Sequence, residues 1–108
     1  MLEIESYCEK DMNFIFPRLS SDSKRVFIFI FSTYRQTNEG VNWKGIVQEC
    51  GGDRFKVERS LYLLQTLGFI SHELTLNQRH KRYIPHPKLG MQLARYMSEE
   101  QARLRESK

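Results

Sequence analysis

The spacing of apolar residues along this chain is helical up to Gly68 and becomes strand-like directly after it. Residues 2–16 place apolar side chains at loosely helical spacing among acidic ones, and Pro17 ends this segment. We therefore expect a first helix over residues 2–16.

A second helix is predicted between the serine-rich residues 20–23, which offer N-caps, and the stop signal at residues 38–40. Its centre, residues 26–31, is β-branched and aromatic, so periodicity alone fits a buried strand equally well. The flanks and the length favour a helix. Such a helix is apolar on nearly every side, so either the first helix or a second subunit has to cover the remainder. We take this as an indication of a homodimer.

Two further helices are predicted on either side of a glycine turn at residues 51–52. Asn42 caps a short helix over residues 43–50, after a one-residue strand contribution from Val41. Asp53 caps the next helix, residues 54–67, which ends at Gly68. The core stripe of that helix consists of Val57, Leu61 and Leu64.

Two short strands are predicted at residues 69–74 and 82–86, around a polar loop at residues 75–81. We expect Pro85 at a sheet edge, and His72 and His86 facing each other across the hairpin. A last helix begins near Lys88 and fades into a charged, frayed tail over residues 99–108.

The order helix, helix, glycine turn, helix, hairpin is that of a winged helix-turn-helix, a mainly α fold with a small β-hairpin. One domain is expected over residues 1–108, because a chain of this length builds one core. Its parts are an N-terminal helical segment (1–17), a winged-helix core (22–97) and a charged C-terminal tail (98–108).

The stretch from Asp53 to Ile70 resembles the recognition-helix region of MarR-like winged-helix regulators. In these proteins a pattern of polar, apolar and Arg residues is followed by a Leu and then by a strand that starts with Gly-Phe/Leu-Ile. The corresponding residues in this chain are 56–59, Leu64 and 68–70. The resemblance covers roughly residues 23–97 and implies a transcriptional regulator that binds double-stranded DNA.

The chain departs from this family pattern in two places. Its wing has Asn77-Gln78-Arg79 where such regulators often carry Asp-x-Arg, and residues 86–90 replace the Thr-x-x-Gly helix start. The subfamily is therefore left open.

Composition agrees with a binding module that has a polyanionic partner. The chain has 108 residues, 40% hydrophobic and 28% charged, with a net charge of +4. Residues 1–22 hold five acidic groups and two basic ones, whereas residues 53–108 hold six acidic and eleven basic ones. We therefore expect the first segment to face away from any nucleic acid.

Candidate DNA-contacting residues lie on the exposed side of the 54–67 helix, which would enter the major groove. Arg54 and Lys56 are expected to donate to guanine O6 and N7, and Arg59 to a phosphate. Tyr62 completes this face.

The wing, residues 75–82, concentrates cations that suit a phosphate backbone or the minor groove. Its candidate residues are Gln78, Arg79, Lys81 and Arg82. A second set lies near helix starts, where phosphates bind: Lys24, Arg25, Asn42 and Lys44.

Other classes of function lack a motif. The histidines and the two cysteines, Cys8 and Cys50, have no metal-ligand spacing, and Cys50 is expected to pack as a small hydrophobe. No phosphate loop or nucleophile elbow occurs, so we expect neither an enzyme nor a cofactor. Without a signal-peptide pattern or a long apolar run, we expect a cytoplasmic protein with no membrane segment.

The favoured hypothesis is a homodimeric, sequence-specific regulator of transcription that binds double-stranded DNA. The first alternative is a winged-helix module for protein interaction, an adaptor or antagonist of another regulator, since Glu58 and Glu73 lie near the proposed DNA face. A plasmid or phage replication-associated DNA-binding protein is a variant of the favoured hypothesis.

Overall fold

The computed structural model describes residues 6–74 and 81–106. The helices in these residues are α1 (Glu9–Ile15), α2 (Ser21–Thr37), α3 (Trp43–Glu49), α4 (Arg54–Thr66) and α5 (Leu89–Glu106), with a 3₁₀ turn at Phe16–Arg18. The strands are β1 (Val41–Asn42), β2 (Ile70–Leu74) and β3 (Lys81–Pro85). The predicted fold class, mainly α with a small antiparallel hairpin, is confirmed.

Local capping explains why residues 26–31 form a helix rather than a strand. The Ser20 hydroxyl oxygen accepts a hydrogen bond from the backbone N–H of Ser23 (3.1 Å) at the start of α2. At the other end, Asn38 adopts a left-handed conformation (φ 58°), which asparagine tolerates better than most residues. The caps at both ends therefore favour a helix, whereas the apolar pattern of residues 26–31 alone does not distinguish a helix from a strand.

The turn between α3 and α4 depends on two consecutive glycines. Gly51 and Gly52 have φ values of +96° and +79°, a region that residues with a side chain rarely adopt. Asp53 Oδ1 then accepts hydrogen bonds from the backbone N–H groups of Phe55 (3.1 Å) and Lys56 (3.2 Å), which starts α4. Both helices are present as predicted, and each ends one residue earlier.

β3 is the central strand of the sheet, paired antiparallel with β2 on one side and β1 on the other. As a whole strand, β3 is therefore not the sheet edge expected for Pro85, although it has no β1 partner at Pro85 itself. The His86 N–H donates to the Phe69 carbonyl on the β2 side (2.9 Å), so the nitrogen of the preceding Pro85 points towards β1. Pairing with β1 covers only Arg82 and Tyr83, so Pro85 interrupts no ladder bond there.

The two strand histidines do not face each other, which corrects a second expectation. In the register of the sheet His72 lies opposite Tyr83, and its Nδ1 is 3.1 Å from Gln65 Nε2. His86 lies beyond β3, where its Nδ1 accepts hydrogen bonds from two backbone N–H groups at the start of α5 (3.1 Å each). His86 therefore caps α5 in the segment that replaces the Thr-x-x-Gly helix start of the family pattern.

The core forms around α2, whose Val26, Phe27 and Ile30 are at most 1% exposed. The predicted inner stripe of α4 is buried against it, and Ser23 of α2 donates to the Ser60 hydroxyl of α4 (3.3 Å) inside this contact. The other buried apolar residues are Met12, Leu19, Val41, Ile46, Phe69, Ile70, Tyr83, Leu89 and Leu93.

The first helix is shorter than expected, because α1 starts at Glu9 rather than near residue 2. Ahead of it, the Tyr7 N–H donates to Gln92 Oε1 (2.9 Å) and Gln92 Nε2 donates back to the Tyr7 carbonyl. Both backbone groups of Tyr7 are thus hydrogen-bonded to a side chain of α5 rather than within a helical turn. Residues 1–5 lie outside the described part of the chain.

The last helix is longer than expected. α5 continues to Glu106, where a frayed tail from residue 99 was expected. Its final turns consist mainly of strong helix formers, and Glu100 pairs with Arg103 one turn away (3.2 Å). No helix described over residues 6–74 and 81–106 combines the length and apolarity needed to cross a membrane.

Candidate nucleic-acid interface

The solvent face of α4 carries all four residues predicted on this helix. Arg54, Lys56, Arg59 and Tyr62 are exposed, on the side away from the buried stripe of the same helix. In the part of the chain that the structure describes, none of the three cations forms an ion pair. Their charge is therefore open to an anionic partner, next to the positive end of the helix dipole.

One residue on this face, Phe55, is not among the predicted site residues. Its side chain is 77% exposed, and it lies four and seven positions before Arg59 and Tyr62, so all three share one side of α4. A helical wheel drawn on the core stripe would have placed Phe55 opposite that stripe. Because its side chain is apolar, Phe55 carries none of the charge by which the candidate contacts were selected.

Arg54 is held against the first residue of α3. Its guanidinium carbon lies 5.4 Å from the centroid of the Trp43 ring, within the range of a cation–π interaction. Trp43 itself is partly buried against the core. The glycine turn thus brings the start of α3 and the start of α4 together, and the Trp43 ring restricts where the Arg54 side chain points.

A cleft of about 310 Å³ separates α4 from β3. Its lining residues are Trp43, Glu58, Leu61, Tyr62, Gln65 and Tyr83. Burial, and secondarily the Glu58 carboxylate, raises the pKa of the Tyr83 hydroxyl above its ordinary value. Glu58 also directly precedes Arg59 on α4, so its carboxylate adds one negative charge beside the cations of this helix.

The base of the wing presents two of the predicted cations, Lys81 and Arg82, at the start of β3. Arg82 Nη1 lies 3.9 Å from Glu39 Oε2, and Glu73 is opposite Arg82 on β2. An exposed ion pair of this length contributes little, so a phosphate can replace Glu39 as the partner. The other predicted wing residues, Gln78 and Arg79, lie outside the described residues.

The predicted residues near helix starts have different surroundings. Asn42 Oδ1 accepts a hydrogen bond from the Gly45 N–H (2.8 Å) and so caps α3, which leaves the amide nitrogen as the donor for a phosphate. Lys44 is exposed on the first turn of α3. Both are sequence neighbours of Trp43, where α3 and α4 meet through the Trp43–Arg54 contact.

Lys24 and Arg25 have intramolecular partners instead. Lys24 Nζ lies 4.2 Å from the centroid of the Phe16 ring, and Arg25 Nη2 donates to the Glu49 carbonyl at the end of α3 (2.9 Å). Arg25 thereby neutralises a helix C-terminus, which is a structural role.

The remaining reactive groups are scattered. No cluster of His, Cys, Asp and Glu suited to a metal ion occurs among residues 6–74 and 81–106. Cys50 is half-buried against the core, as predicted, and this burial raises the pKa of its thiol. Cys50 therefore behaves as a small apolar side chain rather than as a thiolate.

The helices α2 to α4, followed by an antiparallel strand pair, define a winged helix-turn-helix. The structure is similar to that of the transcriptional regulator SlyA, a MarR-family winged-helix protein, with a TM-score of 0.64 and 19% sequence identity. The match covers 91% of this chain and 67% of the SlyA chain. It confirms the predicted MarR-like winged-helix fold. No family model and no curated protein matches the chain.

Proposed function

We propose that this chain is a sequence-specific, double-stranded DNA-binding regulator of transcription. The observation that carries the proposal is the solvent face of α4, which presents Arg54, Lys56 and Arg59 without an ion pair among the described residues. In a winged helix-turn-helix this helix is the element that enters the major groove. The shared fold with a transcriptional regulator supports the same conclusion.

In the proposed complex the N-terminal turns of α4 meet the edges of the bases. Arg54 and Lys56 donate to guanine O6 and N7, while Arg59 and Tyr62, further along the helix, bind phosphates. The contact of Arg54 with the Trp43 ring supports its role in base recognition, because a guanidinium with fewer accessible rotamers loses less entropy on binding.

The wing supplies the second part of the proposed contact. Lys81 and Arg82 at the base of β3 bind the phosphate backbone, with Gln78 and Arg79 ahead of them on the backbone or in the minor groove. Asn42 and Lys44 contribute phosphate contacts from the start of α3.

We further propose a cytoplasmic homodimer of single-domain subunits. The centre of α2, residues 26–31, is entirely apolar, yet Ile28 remains 46% exposed. Ile28 lines a groove between α2 and α5, together with Phe27, Phe31, Ala94, Met97, Ser98 and Gln101. A second subunit on this groove would bury apolar surface and give two symmetric half-sites. Mass measurement of the free protein tests this assembly.

The DNA proposal is tested by fluorescence anisotropy with a mixed-sequence duplex at low salt. We expect roughly micromolar or tighter binding by the natural chain, weakening as salt rises. The triple variant R54E/K56E/R59E should lose most of this affinity, and its remaining binding should depend less on salt. The control variant R95E reverses an exposed cation of α5 and should change neither the affinity nor the salt dependence much. Equal affinity and equal salt dependence for all three proteins would contradict the proposal.

A second candidate, docking on another protein, is favoured by one observation. Phe55 and Tyr62 expose 77% and 74% of their surface on the same face of α4, and exposed aromatic groups are common at protein interfaces. The same titration separates the candidates, because a module of this kind should bind random duplex weakly. A replication-associated DNA-binding protein would behave like the first candidate in this assay.

A further inference from the structure

Phe55 differs from Phe14, the other exposed phenylalanine among the residues that the structure describes. Phe14 is also exposed, at 60%, but the Arg18 guanidinium carbon lies 3.6 Å from the centroid of its ring. No ring or cation covers Phe55 among the residues that the structure describes. Its apolar surface therefore contributes nothing to the core and remains open for a partner.

The position of Phe55 is fixed by the start of α4. Its backbone N–H donates to Asp53 Oδ1 (3.1 Å), which sets the first turn of the helix and hence the direction of the side chain. Arg54 and Lys56 are its neighbours in the sequence. In the proposed complex these first residues are the ones that approach the bases, so Phe55 would lie at the floor of the major groove.

The chemistry of the groove limits what a phenyl ring can contact there. It cannot form the hydrogen bonds offered by purine N7 and O6 or by the amino groups of cytosine and adenine. The apolar group that the major groove does present is the C5 methyl of thymine, and phenylalanine contacts it well. Tyr62 lies seven residues further on, about 10.5 Å along the helix axis, where its hydroxyl suits a phosphate instead.

We infer that Phe55 contacts a thymine methyl group and makes the protein select thymine at that position. This inference rests on the proposed function, and it adds a specificity residue to the cations already described. Arg54 and Lys56 would select guanine by hydrogen bonds, whereas Phe55 would select thymine by apolar contact.

The test compares thymine with deoxyuridine, which lacks only the methyl group. A duplex is first selected from a random pool with the natural chain, and each thymine is then replaced singly by deoxyuridine. At the contacted position we expect an affinity loss of about fourfold, the fold-change equivalent to ~0.8 kcal/mol for one buried methyl. The other replacements should have little effect.

Three variants assign the effect to Phe55. F55A should bind the thymine and deoxyuridine duplexes equally, F55L should keep part of the preference, and F14A should behave like the natural chain. Because Phe55 is exposed, we expect F55A to fold normally, and circular dichroism checks this.

The outcomes separate the inference from the function on which it rests. If no duplex can be selected, the proposed function fails. If a duplex is selected but every deoxyuridine replacement is neutral, or if F55A keeps the thymine preference, the function stands and the inference is overturned. A preference that is lost in F55A and partly kept in F55L supports the inference.

Discussion

Helices α2 and α4 pack against each other, and their outward faces differ. α2 buries Val26, Phe27 and Ile30 and leaves Ile28 and mostly polar residues in solvent. α4 buries one stripe and leaves a full face of cations and aromatic rings in solvent. Both helices thus bury one stripe, but the solvent face of α4 is the one that concentrates cations and aromatic rings, which stability does not require.

The difference shows where function can change without loss of the fold. A substitution on the outer face of α4 removes no core contact, so the protein can change that face freely. A substitution at a buried residue of α2, such as Phe27, removes packing from the centre of the core. The predictions below contrast the two helices, from the largest expected effect to the smallest.

The largest effect is expected from Phe27→Ala in α2. Phe27 is 1% exposed, and truncating a buried phenylalanine costs about 3–5 kcal/mol of unfolding free energy. Urea denaturation measures this loss. A cost comparable to that of an exposed site would show that α2 is not central to the core.

Within α4 itself, Leu64→Ala and Tyr62→Ala should differ sharply. Leu64 is 0% exposed, so its truncation should cost about 2–5 kcal/mol, while the 74% exposed Tyr62 should change stability by less than about 0.5 kcal/mol. Thermal denaturation of the pair measures the contrast. Similar losses in both variants would mean that the outer face of α4 also packs.

The caps of the two helices should contribute about equally. Ser20→Ala at α2 and Asp53→Ala at α4 each remove a side-chain acceptor for a backbone N–H, at a cost of about 1 kcal/mol. Urea denaturation of both variants measures the loss of unfolding free energy. The glycine variant of each position is the control, because glycine at an N-cap costs less than alanine. No loss for Asp53→Ala would contradict its role in starting α4.

The smallest effect concerns pH at the contact between α4 and the sheet. Burial and the Glu58 carboxylate raise the pKa of Tyr83, so the folded state keeps this proton to higher pH than the unfolded chain does. The resulting stability is fully present below the ordinary tyrosine pKa and is lost as pH rises through the folded pKa. Glu58→Gln should lower the pKa of Tyr83 only in part, because burial is the larger cause. Alkaline titration of both proteins, followed by tyrosine absorbance, measures the pKa of Tyr83. An unchanged Tyr83 pKa in the Glu58→Gln variant would contradict the role of Glu58.

Most of the helices could be predicted because their signals are local. The serines before α2, Asn38 after it and the glycines before Asp53 fix backbone hydrogen bonds within a few residues. Contacts between distant segments could not be foreseen in the same way. Tyr7, ahead of α1, is hydrogen-bonded to Gln92 of α5, and the sheet register places His72 opposite Tyr83.

From the sequence, the candidate site could be predicted mainly through its charged residues. The cations of α4 follow from charge and helical spacing, and all of them are exposed. Phe55 and the stacking of Arg54 on Trp43 depend on which side of a helix faces the core and on how α3 meets α4. Hydrophobicity alone assigns both aromatic residues to the core, although only Trp43 lies against it.

The most direct test is to record amide NMR spectra of the full ¹⁵N-labelled chain during titration with a DNA duplex. We predict shifts concentrated at residues 53–62 and at Lys81 and Arg82, with α2 unaffected. Shifts centred on α2 and α5, or no shifts at a saturating duplex concentration, would contradict the assignment of α4 as the functional face.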